Sequence, residues 1–175
     1  MSNIKKIFYW SPHISNVATI KNVLNSMISL KSYSKKPVNI SIINVIGEWS
    51  RNKDQLSSFD INLIEMKGLK LNKFIPITGF LKSRIIFLLI GLTKFFALKK
   101  ILKNEKPDFL ILHLVTSLPL ALLIFFNFET KFILRISGLP HMTFLRKILW
   151  KIVSKKIYLV SCPSDQTRKD LIKLN

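Results

Sequence analysis

The chain has 175 residues, which is enough for one domain with a substantial core, and its 49% hydrophobic content excludes a disordered protein. Its 28 Lys and Arg residues against 9 Asp and Glu residues give a net charge of +19, so we expect attraction to anionic lipid, nucleic acid or phosphorylated substrates. The single cysteine, Cys162, excludes an internal disulfide and reads as a small buried apolar residue in LVSCPS.

Apolar, strand-like runs alternate with helical patterns along the chain. The first run predicts a strand over 4–11, and the apolar spacing that follows predicts a helix over 15–33. Further strands are predicted at 38–46, 61–66, 108–114, 131–137 and 157–164, and further helices at roughly 80–104, 117–126, 144–156 and 164–173. This order predicts a single α/β domain with a Rossmann-like, doubly wound, mostly parallel sheet and helices on both faces.

Two apolar segments have to be tested as membrane spans. Segment 85–98 is too short and contains Lys94. Segment 108–128 has about the required length, but His113, Thr116-Ser117 and Pro119 place polar and turn residues in its middle, which lipid disfavours. We interpret it as a strand, a turn and a short buried helix. The apolar run near the N-terminus is too short for a signal peptide.

Residues that follow the predicted strands are the first candidates for a site, because ligands of a doubly wound sheet bind outside the carboxyl ends of its strands. The candidates are Ser11, His13, Ser15, Asn16, His113, Arg135, Ser137, Gly138 and His141. All three histidines belong to this set, and histidine titrates near neutral pH. The alternative is that polar residues simply collect where strands end.

The stretch FILRISGLP (132–140) ends a predicted core strand in a cation, a hydroxyl and a glycine. Arg135 either binds a ligand phosphate or pairs with a carboxylate such as Glu129 or Asp108. Ser137 would donate or accept a hydrogen bond, and Gly138 would let the backbone approach a ligand closely. The sequence has no complete nucleotide-binding glycine motif, zinc-ligand spacing or nucleophile elbow, and we predict no metal.

The predicted helix 144–156 is sharply amphipathic. Leu145, Ile148, Leu149, Ile152 and Val153 form its apolar face, and Arg146, Lys147, Lys151, Lys155 and Lys156 occupy much of the other. Either the helix covers the sheet and leaves its lysines in water, or the lysines bind anionic lipid, at roughly 1 kcal/mol for each cation. No nucleic-acid-binding module accompanies the charge, so we expect no nucleic-acid partner.

Five segments in order resemble the N-terminal domain of a glycosyltransferase family 4 enzyme, which has the two-domain GT-B fold. They are KKIFYWSP, VNISIINVIGEW, KPDFLILHLVTSLP, KFILRISGLP and KIYLVSCPSDQTRKDLI, and they cover nearly the whole chain. The resemblance implies that this half binds a sugar acceptor, whereas a C-terminal half outside these residues binds the nucleotide-sugar. It implies that His113 lies at the cleft-facing end of its strand, that Ser137 and Gly138 border the reacting sugar, and that the loop 11–16 replaces the family's glycine-rich loop beside the donor phosphates.

The sequence also departs from the family pattern. The paired glycines of the first loop are missing, Ser137 stands where the family often has a histidine, with His141 nearby, and the acidic E-x7-E pair of the C-terminal domain lies outside the chain. We therefore expect an acceptor-binding half that is inactive alone and belongs to an enzyme moving a sugar onto a lipid-linked or polysaccharide acceptor.

The resemblance also implies the partners and the location. The nucleotide-sugar would be a co-substrate rather than a cofactor, and the donor-binding half would lie further along the chain or in a separate chain. The expected location is cytoplasmic and peripheral to the inner face of the membrane. The alternative is a non-catalytic, basic membrane-surface or interaction module with a Rossmann-like fold.

Overall fold

A computed structural model of the chain describes residues 4–13, 18–66, 80–138 and 143–173. At its centre lies a six-stranded parallel sheet in the order β3-β2-β1-β4-β5-β6. The strands are β1 (Lys5–Trp10), β2 (Val38–Asn44), β3 (Asn62–Glu65), β4 (Phe109–Leu112), β5 (Lys131–Arg135) and β6 (Leu159–Ser161). The predicted α/β, Rossmann-like doubly wound fold is confirmed, and the sheet is parallel throughout.

Helices connect the strands. They are α1 (Ala18–Tyr33), α2 (Lys53–Ser58), α3 (Phe80–Glu105), α4 (Ser117–Phe125), α5 (Phe144–Val153) and α6 (Asp165–Lys173), with short 3₁₀ turns at Ser50–Asn52 and Ser154–Lys156. Helix α2 was not predicted, because its 6 residues make fewer than two helical turns and show no apolar period.

Alternation of side chains along β1 divides the core into two parts. Phe8 and Trp10 join the core beneath α3, α4 and α5, whereas Tyr9 joins the core beneath α1 and α2. Because helices cover both faces of the central strands, their sequences read as continuous apolar runs.

The segment 108–128 forms β4, a turn and α4, as predicted. Pro119 lies in the first turn of α4, where no intrahelical N–H bond is lost. Among the residues that the structure describes, no helix is both long and apolar enough to cross a membrane.

Strand β6 is shorter than the predicted strand over 157–164. It pairs with β5 over only 3 residues, and all of them are exposed. Pro163 contributes to the early end, since proline has no N–H to donate to a ladder.

Three carboxylates bind lysines at the amino-terminal edge of the sheet. The pairs are Lys5–Asp108 (2.7 Å), Lys6–Glu105 (2.6 Å) and Lys106–Glu129 (3.2 Å). Asp108 also accepts a hydrogen bond from the backbone N–H of Lys6 at 2.8 Å. The hydrogen bond from Lys5 is the main cause that lowers the pKa of Asp108. These carboxylates are therefore engaged at the edge opposite the one where ligands of this fold bind.

Candidate functional site

A cleft opens at the carboxyl ends of β4, β5 and β6. The strand order changes direction between β1 and β4, which are neighbours in space but not in sequence, and such a switch point is where doubly wound sheets bind ligands. The cavity there has a volume of about 230 Å³, and we call it the strand-end cleft. Residues with polar or nucleophilic groups along it are Thr19, Asn22, His113, Arg135, Ser137, Ser161 and Cys162.

Arg135 ends β5 with an exposed side chain, not a buried one. Its Nη1 donates a hydrogen bond to the Ser26 hydroxyl of α1 at 2.9 Å. The predicted alternative, an ion pair with Asp108 or Glu129, is wrong, because these carboxylates bind Lys5 and Lys106 at the other end of the strands. A guanidinium has five N–H donors, so the single bond to Ser26 leaves donors for an anionic ligand.

A larger open cavity adjoins the strand-end cleft along α1. This α1 groove has a volume of about 620 Å³ and shares Asn22 and Arg135 with the cleft. Arg135 lines both cavities, so the α1 groove and the strand-end cleft together form one continuous depression between α1 and the end of β5.

His113 directly follows β4, and packing holds its ring in place. The backbone N–H of His113 donates to the carbonyl of Trp10 at 2.9 Å, and the ring stacks on Tyr9 with centroids 5.7 Å apart. Burial, and then the charge of Arg135, lower the pKa of His113 to about 4. The imidazole is therefore neutral at pH 7, contrary to the expected titration near neutral pH. Its Nε2 is buried without a protein hydrogen-bond partner.

The turn after β4 is held in an unusual backbone conformation. Val115 has a φ of 48°, a left-handed value that β-branched residues rarely adopt. Its carbonyl accepts a hydrogen bond from the Trp10 indole at 3.1 Å. Strain of this kind, on the order of 1–3 kcal/mol, persists only where surrounding contacts fix it. The buried Trp10 thus fixes the turn that follows His113.

Ser11 and His13, two of the candidates for ligand contact, are buried and do not line the strand-end cleft. Each is buried, and the Trp49 indole donates to the Ser11 carbonyl at 3.2 Å. The His13 ring meets the Trp49 ring edge-on at 4.9 Å, and burial lowers the pKa of His13. Their polar groups follow β1, as expected, but Trp49 covers them.

The remaining predicted residues have different outcomes. Ser15, Asn16 and His141 lie outside the described residues. Ser137 lines the strand-end cleft and Gly138 follows it, and both are exposed. A Cβ added to Gly138 would meet no heavy atom within 4 Å, so protein packing does not require glycine there. Cys162 is half-exposed and lines the cleft, contrary to the buried role predicted for it.

One wall of the depression was missed in the sequence. Asn22 lines both cavities, and Ser26, Ser29 and Tyr33 of α1 line the α1 groove. Their spacing of four, three and four residues puts them on one side of a helix. That polar stripe is the signal in the sequence that indicates this wall.

Glu48 forms a separate buried site after β2. Its carboxylate accepts hydrogen bonds from the backbone N–H groups of Val45 and Ile46 at 3.2 and 2.8 Å. Burial is the main cause that raises the pKa of Glu48 to about 7. Lys94 of α3 is also buried, and this burial lowers the pKa of Lys94. The charge of Glu48 acts on the same pKa in the opposite direction. The described cleft does not include this pair.

Opposite shifts at His113 and Glu48 predict opposing effects of pH on stability. Unfolded His113 binds a proton below pH 6.5 and folded His113 only near 4, so its contribution falls as pH falls across that window. His13 acts in the same direction. Folded Glu48 keeps its proton up to about pH 7, whereas the unfolded carboxyl loses it near 4.5, so its contribution falls as pH rises.

We expect Glu48→Gln to unmask the histidine contribution, so that the free energy of unfolding rises between pH 4.5 and 6.5. His113→Asn should leave the Glu48 contribution dominant, so that the free energy of unfolding falls as the pH rises between 4.5 and 6.5. Urea unfolding followed by tryptophan fluorescence at three pH values measures both slopes. Asp54→Asn, at an exposed carboxyl of α2, is the control. Parallel profiles for all four proteins would contradict the two shifts.

The predicted basic surface of α5 is exposed. Arg146, Lys147, Lys151, Lys155 and Lys156 all face solvent, although Lys156 Nζ also donates to the Leu123 carbonyl at 2.6 Å.

The predicted apolar face of α5 is only partly covered. Val153 is buried and Leu149 partly buried, whereas Ile148 and Ile152 are exposed. The alternative in which this helix only covers the sheet therefore does not account for Ile148 and Ile152. The side chain of Leu145 lies outside the description.

The fold and the cleft define a Rossmann-like α/β domain with an open crevice that carries an arginine. The described residues contain no group of three or more side chains that could hold a metal ion. No model of a known protein family matches the chain, and no curated protein matches it. The likeness to a glycosyltransferase domain therefore rests on the sequence motifs alone.

Proposed function

We propose that the chain is the acceptor-binding half of a sugar transferase, which moves a sugar from a nucleotide-sugar to a lipid-linked or polysaccharide acceptor. The observation that carries the proposal is the strand-end cleft, where Arg135 and a neutral His113 lie together at the carboxyl edge of the sheet. Asp108, Glu105 and Glu129 are paired with lysines at the opposite edge of the sheet, so they do not compete with a ligand for Arg135.

The residue types of the cleft suit a phosphorylated sugar. Arg135 would bind a phosphate of the acceptor through paired N–H donors. The amide of Asn22 and the hydroxyls of Ser137 and Ser161 would hydrogen-bond to sugar hydroxyls. A histidine with a pKa of about 4 is a poor general base, so His113 would orient the acceptor as a neutral hydrogen-bonding group.

The exposure of the cleft supports a missing second wall. Ser137 and Ser161 line the cleft and are both exposed, and a transfer reaction requires water to be excluded from the reacting groups. The nucleotide-sugar would be bound mainly by a donor-binding domain or a separate donor-binding chain. In this proposal the chain alone binds acceptor and does not catalyse transfer.

The proposal includes a location at the inner face of the membrane, where lipid-linked acceptors are available. Exposed Lys147 and Lys151 on α5, and Lys155 in the 3₁₀ turn that follows it, support this location, because lysines near an anionic surface each contribute about 1 kcal/mol of attraction.

Calorimetric titration tests the proposal with a water-soluble acceptor analogue. The probe is farnesyl diphosphate-linked N-acetylglucosamine, with inorganic pyrophosphate and UDP-N-acetylglucosamine as comparators. We expect saturable one-to-one binding of the probe and at least about tenfold weaker binding of both comparators, one tenfold step being about 1.4 kcal/mol. Tighter binding of the nucleotide-sugar, or equal binding of pyrophosphate, would contradict an acceptor site. The same titration with other sugars on the farnesyl diphosphate tests whether the choice of sugar matters.

A second candidate function is a non-catalytic membrane-surface or interaction module. The partly uncovered apolar face of α5 favours it. This candidate predicts lipid binding with no response to an acceptor sugar or a nucleotide-sugar. Saturable, Arg135-dependent binding of the probe separates the two functions.

A further inference from the structure

Among the side chains that the structure describes, five large apolar ones are exposed on the three helices that cover one face of the sheet. They are Phe96 of α3 (68% exposed), Phe125 of α4 (68%), and Phe144 (76%), Ile148 (42%) and Ile152 (48%) of α5. Other residues of these helices pack into one core with β1, β4 and β5. An exposed group of large apolar residues marks a contact surface more often than an isolated one does.

Helix α5 shows how this exposure arises. Phe144, Ile148 and Ile152 recur every fourth residue and so form a single stripe along the helix. Val153, on the opposite side, is fully buried against the sheet. Lys147, Lys151 and Lys155 are exposed and flank the apolar stripe at helical spacing. The helix therefore presents a second apolar surface, bordered by cations, away from the core.

Phenylalanines of α3 and α4 form an aromatic group in the same layer of helices. The Phe95 ring lies 5.4 Å from the Phe96 ring and 6.3 Å from the Phe125 ring, measured between centroids. Helix α4 contacts both α3 and α5, so the three helices form one layer.

The charges around this layer are almost all positive. Between Met66 and Ser164 the sequence has only three acidic residues, Glu105, Asp108 and Glu129. Each forms an ion pair with a lysine at the amino-terminal edge of the sheet. The segment 144–156 carries five cations and no acid. A surface that combines exposed apolar side chains with many cations and few acids matches an anionic bilayer, which offers phosphates above hydrocarbon.

We propose that these five apolar side chains, together with Lys147, Lys151 and Lys155, form a membrane-docking face that inserts its aromatic and aliphatic side chains into an anionic bilayer. This inference rests on the peripheral location proposed above. It adds which surface contacts the bilayer and that apolar side chains of this surface enter it. It does not require sugar transfer or an occupied cleft. A second copy is a poorer occupant, because two chains of +19 would repel each other.

Co-sedimentation with vesicles tests the charge part of the proposal. We expect binding to vesicles with 30% phosphatidylglycerol, and far weaker binding to pure phosphatidylcholine. Lys147→Gln/Lys151→Gln should lower the partition coefficient about 30-fold, from about 1 kcal/mol per cation near the surface. Lys35→Gln/Lys36→Gln removes the same charge from exposed positions after α1 and should change it less than about twofold. Equal effects of the two variants would overturn the docking face.

Insertion needs its own measurement. A nitrobenzoxadiazole dye on Phe144→Cys, with Cys162→Ser, should shift to shorter wavelength on anionic vesicles, whereas the dye on Ser57→Cys of α2 should not. Ile148→Ser/Ile152→Ser should remove the vesicle binding that survives 0.5 M salt, and circular dichroism checks that its fold is intact. Vesicle binding without these effects would mean that the protein is only adsorbed by charge, and it would overturn the proposed insertion. Self-association that Ile148→Ser/Ile152→Ser abolishes would assign the face to a second copy instead. A sugar-binding failure leaves these results unchanged, so the two proposals fail separately.

Discussion

Replacing Arg135 with glutamate is expected to weaken binding of farnesyl diphosphate-linked N-acetylglucosamine by at least about 100-fold. Charge-assisted hydrogen bonds contribute about 1.5–3 kcal/mol each, and a glutamate adds repulsion of the diphosphate. Arg135→Lys keeps the charge but loses the planar pair of donors, so we expect an intermediate loss of about tenfold. Calorimetric titration of the three proteins under identical salt measures these differences.

Lys131→Glu is the matched control for Arg135→Glu. Lys131 begins the same strand, is exposed, and lies at the edge of the sheet away from the cleft. Both variants change the net charge by the same amount, so nonspecific attraction to a protein of +19 should fall equally in both. We expect Lys131→Glu to bind the probe within about threefold of the unmodified protein. Equal losses in both variants would mean that Arg135 is not a specific ligand contact.

Replacing Phe132 with alanine is expected to lower the free energy of unfolding by about 3–5 kcal/mol, the usual cost of emptying a large aromatic site in a core. Phe132 lies on β5 and is fully buried, and its ring lies 5.8 Å from that of Phe128. Such a loss is a large part of the 5–15 kcal/mol that holds a typical domain folded. Urea unfolding measured by tryptophan fluorescence gives the difference directly.

Phe125→Ala provides the comparison for Phe132→Ala. It removes the same atoms from a side chain that is mostly exposed, so we expect a cost below about 1 kcal/mol. A similar loss of stability in the two variants would contradict the assignment of Phe132 to the core. Phe125 also belongs to the membrane-docking face, so this variant should be stable and bind anionic vesicles less well.

The strands and long helices were predictable because their burial is periodic. The run FILR predicted a strand, and alternation across the sheet buries Phe132 and Leu134 on one face. Strand ends were less predictable, since β6 stops after three paired residues, two positions before Pro163. The short helix α2 left no period to detect.

The candidate site was only partly predictable because burial of a polar residue depends on tertiary neighbours. Ser11 and His13 follow a strand just as His113 does, yet Trp49, distant in sequence, covers the first two. Position after a strand therefore identified the edge of the sheet but not which side chains reach its cleft. Arg135 was correctly placed at that edge, whereas its partner Ser26 comes from a helix face that was not considered.

Photocrosslinking tests the central claim, that the strand-end cleft binds the acceptor, most directly. The probe is farnesyl diphosphate-linked N-acetylglucosamine with a diazirine on the sugar, and peptide mass spectrometry locates the label. We predict label on residues that line the cleft, near His113, Ser137 and Ser161. Excess unmodified probe should remove this label, and Arg135→Glu should abolish it. Label confined to α5, or label elsewhere that unmodified probe does not displace, would contradict an acceptor site in this cleft.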